Sequence, residues 1–138
     1  MEWNIKWQIP IPELAQVQKD IFKQAKNFLD ECSKGNGKDQ VESLFYFFNK
    51  NWTTLLEKEE QFMSLHGLPP HNPHQQDHAQ LKNRMGHLIQ RLSKEGATLP
   101  LLLETNQWLI GGVLKHMADH DAQLSRLEPG RENSPPLN

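Results

Sequence analysis

The sequence predicts an all-α protein: an up-down-up-down antiparallel four-helix bundle with an extended N-terminal arm. Three observations predict it. Four segments repeat apolar residues at spacings of three and four, the signature of one helix face. Short stretches rich in Gly, Pro and Asn separate them, and such stretches stop and restart helices. No segment alternates apolar and polar residues as a half-buried strand does. Long helices joined by short loops lie antiparallel to their neighbours. With 138 residues, the chain is long enough to bury one core. Its 36% hydrophobic content suits helices that each bury a single stripe.

Residues 1–11 read as an extended arm, because Ile9-Pro10-Ile11-Pro12 resists helix and each proline restricts its predecessor. Trp3 and Trp7 are expected to pin this arm to the body. The first helix is predicted from Pro12 to Ser33, with the stripe Leu14, Val17, Ile21, Ala25, Phe28 and Cys32. Gly35-Asn36-Gly37 ends it. Asp39, with Glu42 three residues on, resembles a capping box that starts a long second helix. Its stripe is Leu44, Phe48, Leu55, Glu59 and Phe62, and it stops near Gly67, before Pro69-Pro70. Asn72 caps a third helix, with Pro73 at its first position and Gln75 three after the cap. That helix ends at Gly96. Thr98 with Pro100 opens a fourth, which reaches about Leu127. Residues 1–127 are thus expected to form the domain, and 128–138 a flexible tail rich in Pro, Ser and Asn.

Composition narrows the function. A net charge of -2, with acidic and basic residues interspersed, announces no polyanion-binding surface, so no nucleic-acid partner is expected. No apolar run is long enough to span a bilayer, and the N-terminus has no continuous apolar segment of a secretion signal. Cys32 is the one cysteine, which excludes an internal disulfide and fits a reducing compartment. A cytoplasmic location is the expectation. No serine elbow, phosphate-cradling glycine loop or base for Cys32 supports nucleophilic catalysis, and no substrate pocket can be read, so enzymatic activity is not expected.

The most informative feature is the pair His74 and His78. They head the third helix, whose pattern continues through Leu81, Met85, Leu88 and Leu92 on one face. Two imidazoles one turn apart on a core-facing stripe can grip one metal ion. Two core histidines hydrogen-bonded to neighbours would look the same, so the other helices decide. Glu59 sits among Leu55, Leu56, Phe62 and Met63, where a lone carboxylate is costly and needs a proton, a cation or a metal. His116 follows Leu109 and Val113 at helical spacing. Gln18 also leans inward, between Leu14 and Ile21. Neutral imidazoles and a carboxylate from three helices form a mixed N/O site suited to iron, manganese or zinc.

These residues also form a familiar run. Glu59-Glu60-Gln61-Phe62-Met63, then Gly67-Leu68-Pro69, then His74-Gln75-Gln76-Asp77-His78 resembles the EExxM, GYP and HxxxH run of the hemerythrin family, specifically the bacterial hemerythrin-like domains. His116-Met117 with Asp121 resembles the family's HI followed by an aspartate. The resemblance covers residues 1–124, with its specificity in the central run. It implies a four-helix bundle with two non-haem irons that bind dioxygen between them. One iron would take His74, His78 and His116, and Glu59 and Asp121 would correspond to the bridging carboxylates. The second iron would take two further histidines, but this chain has Gln18 and Leu55 at those positions.

The departure has a chemical consequence. Gln18 offers only a weak neutral oxygen and Leu55 offers nothing, so one metal ion is expected rather than two. Geometry adds a second point. Residues five apart on an ideal helix lie about 140° apart around its axis. His116 and Asp121 can face one ion only across a widened turn such as a π-bulge. By spacing alone His120 is the better-placed neighbour, whereas the resemblance supports Asp121. His66, His71 and His87 fit no site. Gly111-Gly112 in the fourth helix is expected to admit a close neighbour. Family members carry larger residues at Leu56 and Gly112, so a roomier pocket is expected. The resulting reading is a hemerythrin-like protein with an altered, mononuclear iron site, in oxygen or redox sensing or iron handling. Dioxygen or another diatomic would be its small ligand. The alternative is a metal-free bundle that serves as a protein-interaction module.

Overall fold

The structure, a computed structural model, describes residues 2–127. These are helical throughout, with no strand among them. Helix α1 spans Pro12–Ser33. Helix α2, Gly37–Phe47, continues through a π-helical turn at Phe48–Trp52 into α3, Thr53–Leu65. Helix α4 spans Pro73–Glu95. Helix α5, Leu99–Trp108, continues through π-helical segments at Leu109–Leu114 and Met117–Asp121 into the short α6, Ala122–Leu124. Four helical stretches result, bounded near the predicted loops. No described helix is long and apolar enough to cross a membrane. The expected tail, 128–138, lies outside the described residues.

Local chemistry explains most of the boundaries. Pro12 opens α1 at its first position, where a missing N–H costs nothing. Asn72 Oδ1 accepts from the Gln75 N–H at 3.0 Å and Thr98 Oγ1 from the Leu101 N–H at 3.2 Å, so both predicted caps form. Gly96, at φ +78°, ends α4 in a conformation that only glycine adopts freely.

Two local expectations are corrected. Asp39 and Glu42 form no capping box, because α2 already starts at Gly37. The turn there is too tight for a side chain: a Cβ at Gly37 would come within 2.6 Å of Cys32 Sγ. The arm is not wholly extended either. Ile5–Trp7 form a 3-10 turn, capped by Asn4 Oδ1, which accepts from the Lys6 N–H at 2.9 Å. That turn brings Trp3 and Trp7 together, edge to face at 5.7 Å, with both rings against Phe22.

The core also contains residues that the stripes did not single out. Trp52 and Trp108 are fully buried, edge to face at 5.5 Å, and both pack on Phe48. On α1 the buried set is Ala15, Gln18, Ile21, Phe22, Ala25 and Phe28, with Leu14, Val17 and Cys32 only half-buried. The inward face is therefore rotated by about one residue from the predicted one.

Gly112 admits a close neighbour, as expected, but no room is left over. A Cβ there would meet Leu81 Cδ2 at 2.7 Å, so α4 fills the space and the expected widening at this position is absent. Trp108 Nε1 donates to Leu81 O at 3.2 Å and fixes the same register. Nothing lies within 4 Å of a Cβ at Gly111. Gly112→Ala should therefore destabilise the protein by about 1–3 kcal/mol through overpacking. Gly111→Ala should stabilise it by about 0.5–1 kcal/mol through helix propensity. Thermal melts of both variants check this pair, and movement in the same direction would contradict the packing described.

Candidate metal centre

Three helical stretches deliver the centre. The Asn72 cap and Pro73 fix where α4 begins, which sets His74 and His78 on successive turns of its inner face. Glu59 comes from the inner face of α3 and is fully buried. His116 and Asp121 come from the last stretch, and both are buried. The π-helical turn at Met117–Asp121 holds one residue more than an α turn, which brings positions five apart onto one face. The widened turn expected on geometric grounds is thus present. It also decides between the two neighbours. Asp121 points inward, whereas His120 stays partly exposed at the edge.

The donor atoms converge. Glu59 Oε1 lies 3.0 Å from His74 Nε2, 3.1 Å from His78 Nε2 and 3.8 Å from His116 Nε2. His116 Nε2 lies 3.1 Å from His74 Nε2 and 3.2 Å from His78 Nε2. Asp121 Oδ1 lies 3.1 Å from His116 Nε2 and 3.3 Å from His74 Nε2. Donors at about 2.1 Å from one ion stand about 3.0 Å apart at right angles and about 3.4 Å apart at tetrahedral angles. Six of the seven separations fall in that range, and the Glu59 Oε1 to His116 Nε2 distance of 3.8 Å lies outside it.

The outer ring nitrogens of two histidines face carboxylates as well. His78 Nδ1 lies 2.8 Å from Glu60 Oε2, and His116 Nδ1 lies 2.6 Å from Asp77 Oδ2. A neutral ring whose Nδ1 donates to that carboxylate keeps a lone pair on Nε2, facing inward. Two inward lone pairs 3.2 Å apart repel unless a cation or an added proton lies between them. Glu59 Oε2 and Asp121 Oδ1 are buried without a well-aligned hydrogen bond. Buried carboxylate oxygens left this way are costly. A metal ion answers both problems, so the donor set fits one.

Without metal, protons must do this work. Burial raises the Glu59 pKa, but hydrogen bonds from His116, His74 and His78 outweigh it and hold the carboxyl well below its usual range. Burial opposes charge on His116, yet the Asp121 charge and contacts with Asp121, Asp77 and Glu59 raise it well above the usual histidine value. His74 is raised in the same way, against its burial, by Asp121 and Glu59.

Gln18 is fully buried and reaches the centre, donating from Nε2 to Asp121 Oδ2 at 3.1 Å. Its Oε1 accepts from the Ile9 N–H at 3.1 Å. That oxygen is engaged and is not directed at an ion. Leu55 is buried and brings no donor. His71 and His87 are exposed and His66 stacks on Phe62, all apart from the cluster. Glu60 and Asp77, the carboxylates behind the histidines, were not read from the sequence as part of the centre. Their signal was their position, directly beside Glu59 and His78. No substrate pocket was legible in the sequence, yet a cavity of about 380 Å³ adjoins the centre, lined by His74, His120, Met63, Leu68 and Leu124 among others.

No family model, curated protein or solved structure matches the chain.

The shifted groups predict opposite pH responses. In metal-free protein, the contribution of His116 and His74 is full below their unfolded pKa of about 6.5 and is lost as pH rises through their raised folded values. The Glu59 contribution is full above about 4.5 and is lost as pH falls through its lowered folded value. Metal needs unprotonated imidazoles, so the stabilisation it adds should grow as pH rises. Melting temperatures measured from pH 5 to 9, after chelator treatment and again with added zinc, check this. Parallel curves would contradict it.

Proposed function

We propose that this chain is a hemerythrin-like, up-down-up-down antiparallel four-helix bundle that holds one non-haem transition metal ion, iron by preference. His74, His78 and His116 would ligate it through Nε2, with Glu59 and Asp121 as carboxylate donors. The observation that carries this reading is the convergence of three Nε2 atoms on one buried, incompletely bonded carboxylate. The mixed imidazole and carboxylate set suits iron, with manganese and zinc as competitors.

A single ion is favoured by the donors that are missing. Leu55 supplies nothing, and Gln18 has committed its oxygen to the arm backbone. A bound iron would supply an open coordination position for a small ligand such as dioxygen. The cavity beside His74 and His120 offers a route to it, and its leucine and methionine walls admit a neutral molecule. Glu60 and Asp77 orient the imidazoles, and the core around Leu55, Leu56 and Met63 excludes water. The role that follows is oxygen or redox sensing, or iron handling, in the reducing cytoplasm that a lone cysteine suits.

A second reading, a metal-free interaction module, has one observation in its favour. Leu99, Leu103 and Ile110 are all exposed and recur at helical spacing on one stretch.

Metal analysis separates the two. Protein purified from iron-supplied cells should carry no more than one tightly bound transition metal per chain. Changing His74, His78 or His116 to Ala should reduce that content severely, and changing His66 or His87 to Ala should not. Two irons per chain would refute the mononuclear site. Equal metal content in all five variants would reduce the histidines to structural residues.

A further inference from the structure

We propose that Gln18 is a latch that makes the N-terminal arm part of the metal centre, so that arm docking and metal binding strengthen each other. The inference rests on the metal-binding reading above and adds its regulation.

Gln18 links the arm to the centre through its side-chain amide. Its amide makes three hydrogen bonds. Nε2 donates to Trp7 O at 2.8 Å and to Asp121 Oδ2 at 3.1 Å, and Oε1 accepts from the Ile9 N–H at 3.1 Å. The orientation of the amide is unambiguous, because the reversed group would face its oxygen to a carbonyl and a carboxylate. Two of the bonds hold the arm backbone and the third holds a carboxylate whose other oxygen faces the histidines. A histidine here could not serve all three partners, since it has at most two ring nitrogens.

The arm touches the same stretch a second time. Ser125 Oγ, one turn beyond Asp121, lies 2.7 Å from Lys6 O and shares its single proton between that carbonyl and Ala122 O at 2.6 Å. The 3-10 turn therefore rests between Gln18 on one side and the segment bearing Asp121 on the other. If the arm lifts, Gln18 loses two partners and Asp121 loses the support that fixes its carboxylate plane. A carboxylate free to rotate is a weaker donor, because positioning must then be achieved on binding.

Docking is also incomplete in a way that suits a reversible contact. Trp3 Nε1 and Gln8 Oε1, both on the arm, are buried without hydrogen-bond partners. Each would regain water on release, which offsets part of the apolar gain from Trp3 and Trp7 on Phe22. These two unbonded groups are set against the full burial of Ile9 in the main core, which release of the whole arm would also give up. By linkage, whatever factor the docked arm adds to metal affinity, the metal adds to docking.

The test uses the full chain and cobaltous ion as the probe, with affinity measured by competition against a chromophoric chelator. Arm docking is read by amide hydrogen exchange at residues 5–9. Trp3→Ala removes an arm anchor that is not a ligand. It should speed exchange in the arm and weaken cobalt binding roughly fivefold or more. Gln18→Leu should do both more strongly. In wild-type protein, cobalt should slow exchange at Ile9. Trp3→Ala is the decisive variant should Gln18→Leu fail to fold. A merely structural tryptophan would lower the melting temperature and leave the cobalt affinity of the folded protein unchanged. That result would overturn the latch while leaving the metal site standing. A wild-type protein that binds no cobalt would overturn the metal site itself, and the coupling with it.

Discussion

Everything at the centre of this protein answers to one constraint: the Glu59 carboxylate is fully buried and must be neutralised where it stands. Three imidazoles face it, and none can leave without stranding the charge. Their placement fixes the other features in turn. The α4 cap sets the first two histidines in phase with Glu59. The π-helical turn at Met117–Asp121 lets the last stretch present both a histidine and a carboxylate. Glu60 and Asp77 then orient two of the rings from outside.

The charge around this point suits a cation. Glu59 and Asp121 lie inside, while Glu60 and Asp77 are about one-third exposed and partly hydrated. Neutral imidazoles leave the inner pair uncompensated, and a divalent ion balances that pair. Protons on the histidines give a second, weaker solution, which is why His116 and His74 hold theirs more tightly than usual. The same negative surroundings disfavour an anionic ligand and leave a neutral one unaffected.

Helix irregularity is used as a positioning device in two stretches. The turn at Phe48–Trp52 brings Trp52 onto Phe48 and Trp108 in the core, and Leu55, Leu56 and Glu59 follow it inward. The segment at Leu109–Leu114 contains Gly112, where Leu81 enters from the helix that carries His74 and His78. Core packing at Gly112 therefore bears on the helix that places both histidines. The arm is held at its inner end by the buried Ile9 side chain and by the Gln18 amide.

Much of this was legible in the sequence, and the limit has a physical cause. Periodicity, prolines and caps determined four helical stretches and the boundaries at Pro12, Asn72, Gly96 and Thr98, because those signals act within one or two turns. The i,i+4 spacing put His74 and His78 on one face, and the apolar neighbours of Glu59 marked it as buried and in need of a partner. What tertiary structure alone decided involves contacts across the chain. Ideal spacing favoured His120, and only the π turn, stabilised by packing, put Asp121 inside. Asp39 has the sequence of a cap, but the helix starts two residues earlier, at Gly37, where close contact with Cys32 leaves no room for a side chain. The space at Gly112 was filled by Leu81, thirty-one residues away. Gln18 was visible as an inward amide, yet its three partners lie on the arm and the last stretch. A helical pattern tells which side of a helix faces inward, and only packing decides what it meets there.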